Sequence, residues 1–129
     1  MMPNTDLLQR TLAQIEEHPE MWGQQDFARQ TDCGTAFCFA GHAVMLAHPT
    51  AVPTFDGAEA TSFVSIPDHP VRPIWWIPEL ARDLLGLGKT TGDILFDADN
   101  SLDELRDMVA DLLAGGDLDR FMRVDEVDE

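Results

Sequence analysis

Two cysteines and a histidine lie close together in the segment CGTAFCFAGHA, which runs from residue 33 to residue 43. Cys38 and His42 are four residues apart, so on a helix their side chains would share one face. Cys33 stands just before this helix and can approach the same point. Because zinc prefers thiolate and imidazole ligands, the pattern suggests a zinc-binding or thiol-dependent module formed by Cys33, Cys38 and His42.

Three other interpretations compete with that module. A disulfide between Cys33 and Cys38 is feasible if Cys33 lies outside the helix, but a reducing cytoplasm disfavours it. A nucleophilic thiol needs solvent exposure, whereas the neighbouring Phe37 and Phe39 predict burial. A free cysteine also packs in a core as a small apolar side chain, and the segment lacks the second ligand pair typical of structural zinc sites. We therefore expect core packing, no cofactor and no catalytic residues, with the metal or thiol module as the alternative.

Two further motifs resemble ligand-binding loops only in part. GLGKTTG, at residues 86–92, has some of the letters of a phosphate-binding loop, but the position that needs an earlier glycine is Asp83, inside a predicted helix. DADNSLDE begins at Asp97 with the alternating oxygens of a calcium loop, yet Leu102 occupies the glycine position and Met108 the glutamate position. Helix ends and helix caps explain both segments better than a nucleotide or calcium site.

The charge of the chain is its strongest global feature. In 129 residues there are 24 Asp and Glu against 8 Lys and Arg, which gives a net charge of −16. Direct binding to nucleic acid or to an anionic membrane requires a basic patch, so this composition argues against both. A basic protein partner is compatible with it. The absence of a long apolar run and of a signal-like N-terminus, together with only two cysteines, predicts a cytoplasmic protein.

The apolar spacing predicts a mainly α (α+β) fold: about five helices around a central apolar helix, one small β-hairpin and a Pro-rich strap. The central helix is predicted over Phe37–Ala47 with Thr35 as its N-cap, and a close contact with another helix would explain Gly41 within it. Residues 1–116 form one predicted globular domain, and residues 117–129 a short acidic C-terminal extension.

Turn and cap signals place the smaller elements. Asp56-Gly57 predicts the turn of the hairpin, with a β-prone run at residues 61–66. The strap covers residues 66–79, where four prolines argue against regular structure. Thr90 with Asp93, and Ser101 with Glu104, resemble capping boxes of two of the later helices.

Two surfaces are predicted to contact a partner. Asp103, Asp107 and Asp111 recur every four residues opposite the apolar stripe of the last long helix, with Glu104 beside them. Trp75 and Trp76 stand next to each other in the strap. Because neighbouring side chains of an extended segment point in opposite directions, one indole should cover the core and the other should be exposed.

The segment CGTAFCFAGHA, followed by LLGL at residue 84 and LFDADNSLDEL at residue 95, resembles a group of small uncharacterised proteins of actinobacteria and their phages. The likeness extends from Leu7 to about Leu113. It implies an accessory protein of a phage, prophage or host genome, acting in the host cytoplasm if it is phage-encoded. Some members have tryptophan at the position of His42, which a required metal ligand would not permit.

These observations predict a small acidic non-enzymatic accessory protein that acts by binding another protein through a surface complementary to a basic partner. A carboxylate array that mimics nucleic acid is a special case of the same function. The sequence leaves the partner and the oligomeric state open.

Overall fold

The computed structural model describes residues 3–32, 34–69 and 71–121. Within these ranges the chain forms five helices and six strands. The helices are α1 (Thr5–Glu17), α2 (Phe39–Ala47), α3 (Ile77–Leu85), α4 (Lys89–Leu95) and α5 (Leu102–Leu113). The strands are β1 (Ala28–Thr31), β2 (Gly34–Phe37), β3 (Val52–Pro53), β4 (Ala60–Thr61), β5 (Phe63–Ser65) and β6 (Ile74–Trp76). Single 3-10 turns occur at Pro19–Met21 and Asp119–Phe121.

Helix α2 lies at the centre of the molecule, as its apolar sequence predicts. Its residues from Phe39 to Val44 are all buried, and it packs between α1 and α3. Helix α1 in turn also packs against α5, and its buried residues include Leu8 and Ile15. A helix that is apolar on every side is stable only when neighbours cover it all round, and these helices supply much of that cover.

The prediction of one small β-hairpin is wrong. The described residues contain two three-stranded antiparallel sheets, with strand orders β2-β1-β4 and β3-β5-β6. Each strand has only two to four residues. An alternating pattern needs a longer run to be recognised. Strands β1 and β2 are neighbours in the sequence, whereas β4 pairs with β1 from a distant part of the chain. The predicted turn at Asp56-Gly57 does form, and both residues have a positive φ.

The first sheet also changes where the central helix begins. Residues 34–37, predicted in part as helix, form β2, where Thr35 pairs with Gln30 of β1. Helix α2 therefore begins at Phe39 rather than Phe37, and Cys38 is its N-cap in place of Thr35. The reason for Gly41 differs as well, because a Cβ there would collide with the backbone oxygen of Phe27. A loop carbonyl, and not another helix, requires the glycine.

Two further corrections concern the strap and α4. Ile74–Trp76 is regular structure, because β6 pairs with β5 between flanking prolines and not through them. Helix α4 begins at Lys89 after Gly88, so the capping box expected at Thr90 is not formed. The second box is confirmed: Ser101 Oγ accepts from the backbone N–H of Glu104, whose carboxylate accepts from the N–H of Ser101.

The chain beyond α5 returns to the domain over a few residues. Leu118 is fully buried, and residues 119–121 form the second 3-10 turn. The rest of the predicted acidic extension, residues 122–129, lies outside the described residues. Within the described ranges, the helices are too short or too polar to span a bilayer.

Candidate functional site

A concave surface of about 780 Å³ lies on one side of the molecule, and we call it the acidic groove. It lies over the face of the first sheet that carries Arg29 and Thr31, with Ala36 of β2 opposite Arg29. Two loops complete its walls. The acidic groove is defined here by its charged and aromatic lining, which comprises Glu20, Trp22, Asp26, Arg29, Asp32 and Asp99.

The lining has four carboxylates and one guanidinium, so four negative charges against one positive leave a formal charge of −3. The guanidinium of Arg29 is already engaged: its Nε donates to Asp26 at 2.6 Å and its Nη1 to Glu59 at 3.4 Å. The hydrogen bond and the charge of Asp26 raise the pKa of Arg29, with a smaller contribution from Glu59. The single cation of the groove is therefore neutralised within the chain, and the surplus charge is negative.

Asp32 and Asp99 contribute to this surplus of negative charge. Neither carboxylate forms an ion pair with a cation in the described part of the chain. Asp32 stands in the loop between β1 and β2, and Asp99 precedes α5. Both residues are exposed. An approaching Lys or Arg side chain can therefore reach them without breaking an existing ion pair.

The buried side chain of Gln24 holds Trp22 in place, and the ring of Trp22 forms the aromatic wall of the groove. The Oε1 of Gln24 accepts hydrogen bonds from Trp22 Nε1 at 3.0 Å and from the backbone N–H of Phe39 at 3.2 Å. Its Nε2 donates to the backbone oxygens of Asp97 at 3.1 Å and Leu95 at 3.4 Å. Gln24 is 7% exposed, so these bonds tie the Trp22 segment to the start of α2 and the end of α4. The wall is thus fixed before any ligand arrives.

The four acids predicted on α5 fall into different environments. Asp103 is exposed and accepts from Arg106 Nη1 at 2.7 Å, while Arg106 Nε reaches Glu16 of α1 at 2.6 Å. Asp107 is also exposed. Glu104 is occupied by the capping box. These three residues follow Asp99 along the chain but do not line the groove, and the capping box leaves the carboxylates of Asp103 and Asp107 free of the helix cap.

Asp111, the fourth of these acids, faces the C-terminal turn. Its side chain is 19% exposed and accepts from the backbone N–H of Leu118 at 3.0 Å and from Arg120 Nε at 3.2 Å. Gly116 makes this possible, because a Cβ there would collide with the Asp111 carboxylate. Asp111 therefore holds the chain that follows α5, and a role in partner binding stays a prediction for it.

The two tryptophans lie on opposite faces of β6, which confirms the predicted alternation. Trp75 packs against the core, and its Nε1 donates to the backbone oxygen of Arg72 at 2.9 Å. The guanidinium of Arg72 stacks 3.9 Å from the centre of the same ring. Trp76 is 46% exposed on the other face. Of these two tryptophans, only Trp76 is thus available as an interface anchor.

Cys38 and His42 belong to the core. Cys38 is 1% exposed, and burial raises the pKa of its thiol to about 12, although the backbone N–H groups of Gly41 and Ala40 act in the opposite direction. His42 is 3% exposed, and its Nε2 lies 2.9 Å from the backbone oxygen of Met21. Since a carbonyl only accepts, Nε2 carries the proton, and burial lowers the pKa of this imidazole.

This environment gives neither a reactive thiolate nor an open ligand position at Cys38. Cys33, the third member of the predicted module, lies outside the described residues. Among the residues that are described, no three His, Cys, Asp or Glu side chains come together as a candidate metal site.

Sequence reasoning missed the acidic groove itself. Its lining comes from residues 20–36 and 98–100, which the unpredicted β1–β2 pairing and the Gln24 bonds bring together. Trp22 is recognisable in the sequence as a large apolar residue in an irregular segment. The acids around it have no spacing that marks them, because they meet only in the folded chain.

The structure thus defines a small α+β protein with an acidic groove beside an aromatic wall. Comparisons with protein-family models, with curated proteins and with solved structures give no match for the chain. Its function must therefore be inferred from its own geometry.

Proposed function

We propose that this chain is a small non-enzymatic accessory protein that binds a basic segment of another protein in the acidic groove. The observation that carries the proposal is the groove itself, in which carboxylates from separate segments surround one aromatic wall. The setting that we propose, an actinobacterium or its phage, rests on the resemblance described above.

The chemistry of the groove suits Lys and Arg side chains. Their aliphatic stems can pack on the ring of Trp22, and their cationic heads are attracted by its face and by Asp32 and Asp99. Asp103 and Asp107, which follow Asp99 along the chain, add exposed carboxylates outside the groove lining. A field of one sign in a concave surface attracts an oppositely charged partner and accelerates its association. A volume of about 780 Å³ accommodates a few side chains of an extended segment.

The test measures binding of a fluorescent deca-lysine peptide by anisotropy at several salt concentrations. The variant Asp32→Asn/Asp99→Asn should weaken binding about two- to thirtyfold, because each exposed ion pair contributes about 0.2–1 kcal/mol. Binding to the wild type should also weaken as salt rises, because exposed charges are screened over about 10 Å at 0.1 M.

Two matched controls change the net charge by the same amount. Glu17→Gln/Asp83→Asn removes exposed acids of α1 and α3 that do not line the groove, and should bind almost as the wild type does. Asp103→Asn/Asp107→Asn measures the contribution of α5. Equal losses in all three variants would mean that only the net charge matters, and the groove would not be the site. The same variants then serve in affinity capture of the natural partner from an actinobacterial lysate.

A further inference from the structure

The second sheet presents an apolar face to solvent, which we call the outer face. Cross-strand pairing places Val52, Ser65 and Ile74 in one row and Phe63 beside Trp76 in the next. The exposed fractions of the four large side chains are 56% for Val52, 48% for Ile74, 46% for Trp76 and 45% for Phe63. Contiguous apolar groups of this kind on a monomer commonly mark an interaction surface.

The sequence of β6 and the following residue, Ile77, is typical of a strand whose two faces are both covered by other parts of a protein. Residues 74–77 read Ile-Trp-Trp-Ile without a polar position, whereas a strand with one solvated face alternates. The inner side is covered, because Val64 is 1% exposed and Trp75 packs against the core. The outer side has no second layer within the described residues. The composition therefore fits a sheet with a further layer that another molecule supplies.

The outer face is also the uncharged part of a strongly acidic chain. Residues 49–55, 60–67 and 73–78 contain no Asp, Glu, Lys or Arg, although the chain as a whole carries −16. Arg72, which lies in the strap, is paired with Glu79 at 3.0 Å and stacked on Trp75. A basic partner would find no charge to pair with here. Two copies of this chain, which repel each other elsewhere, can approach most closely at this face.

We propose that a second copy of the chain covers the outer face. The two sheets pack face to face about a two-fold axis, as sheets in a sandwich do, so that Phe63, Ile74 and Trp76 of each copy contact the apolar residues of the other. The face is only three short strands wide, so it is smaller than the roughly 800 Å² per partner of a standard interface. The dimer is accordingly weak and reversible, with a dissociation constant in the micromolar range or above.

Sedimentation equilibrium of the full chain without any ligand tests the proposal, at concentrations from about 5 µM to about 1 mM, which span such an affinity. The dimer fraction should increase with concentration and also with salt, because screening reduces the repulsion between two acidic copies. This salt dependence is opposite in sign to that of basic-peptide binding in the acidic groove. Failure of one proposal is therefore distinguishable from failure of the other.

Ser65→Glu places a charge at the centre of the outer face and should abolish the dimer. Leu113→Glu is the matched control, since Leu113 is 39% exposed on α5, and this variant should dimerise as the wild type does. Trp76→Ser provides a second test of the same face if Ser65→Glu fails to fold by circular dichroism. A wild type that stays monomeric throughout overturns the proposal, as does a dimer that weakens with salt or persists in the folded face variants.

Discussion

Replacing Gln24 by leucine tests whether this buried amide holds the wall of the acidic groove. The side chains are similar in size, so the change removes hydrogen bonds more than it removes packing. Four groups lose a bond to Gln24, but they are not equally affected. The backbone oxygens of Leu95 and Asp97 also accept from Asn100, at 3.0 and 3.2 Å, and these bonds remain.

Two hydrogen-bond donors, the backbone N–H of Phe39 and Trp22 Nε1, determine how much stability Gln24→Leu loses. The N–H of Phe39 at the start of buried α2 loses the partner that the structure shows for it, and an unsatisfied buried donor costs about 1–3 kcal/mol. Trp22 is partly exposed at the groove, so its Nε1 can bond to water and adds little. The burial of the apolar side chain of leucine offsets a part of this loss of stability. We expect Gln24→Leu to lower the free energy of unfolding by about 1–3 kcal/mol.

Urea unfolding followed by far-ultraviolet circular dichroism measures this difference, with an unchanged m-value as the sign that the two-state transition is preserved. Gln25→Leu is the matched control, because Gln25 also lines the groove but is exposed. That variant should stay within about 0.5 kcal/mol of the wild type. A Gln24→Leu protein as stable as the wild type, or no less stable than Gln25→Leu, would refute the role assigned to the amide.

Two other predictions concern α2. Gly41→Ala should destabilise the protein by about 1–3 kcal/mol despite the better helix propensity of alanine, because its Cβ meets the backbone of Phe27. Gly23→Ala, whose Cβ finds ordinary contact, should be nearly neutral when both variants are compared by urea unfolding, and equal effects would contradict the steric reason. His42 should titrate below the ordinary value of about 6.5 by NMR, since burial lowers its pKa. As the pH drops below about 6.5, the unfolded chain binds a proton at His42 before the folded chain does, so the free energy of unfolding falls. This fall with pH should be smaller in His42→Phe. A His42 pKa at or above 6.5 would contradict the prediction.

Local chemistry explains what the sequence predicts correctly. The Ser101–Glu104 capping box depends on residues three apart, and it forms as expected. The apolar run of α2 predicts its central position, and the adjacency of Trp75 and Trp76 predicts one ring packed against the core and one exposed ring. Each of these features is determined within a few residues of the chain.

The features that the sequence does not predict depend on distant contacts. Strand β1 is exposed at three of its four residues and has no apolar pattern, and besides its neighbour β2 it pairs with β4 from a distant part of the chain. Asp111 has the spacing of an exposed acid, yet the turn at Gly115 and Gly116 brings Leu118 and Arg120 onto it. The acidic groove combines both effects, since its carboxylates are more than sixty residues apart at the extremes.

The acidic groove and the outer face have complementary consequences if both proposals hold. A dimer formed through the uncharged outer face presents two grooves, because the groove lies on the other sheet and is not consumed by the contact. A partner with two basic segments can then engage both, and the second binding event becomes intramolecular. At protein concentrations where the wild type is dimeric, Ser65→Glu should therefore reduce the apparent affinity for a bivalent basic ligand more than that for a single deca-lysine peptide. The negative charge that opposes dimerisation is the same charge that attracts the ligand, so a bound basic partner should also strengthen the dimer by neutralising it.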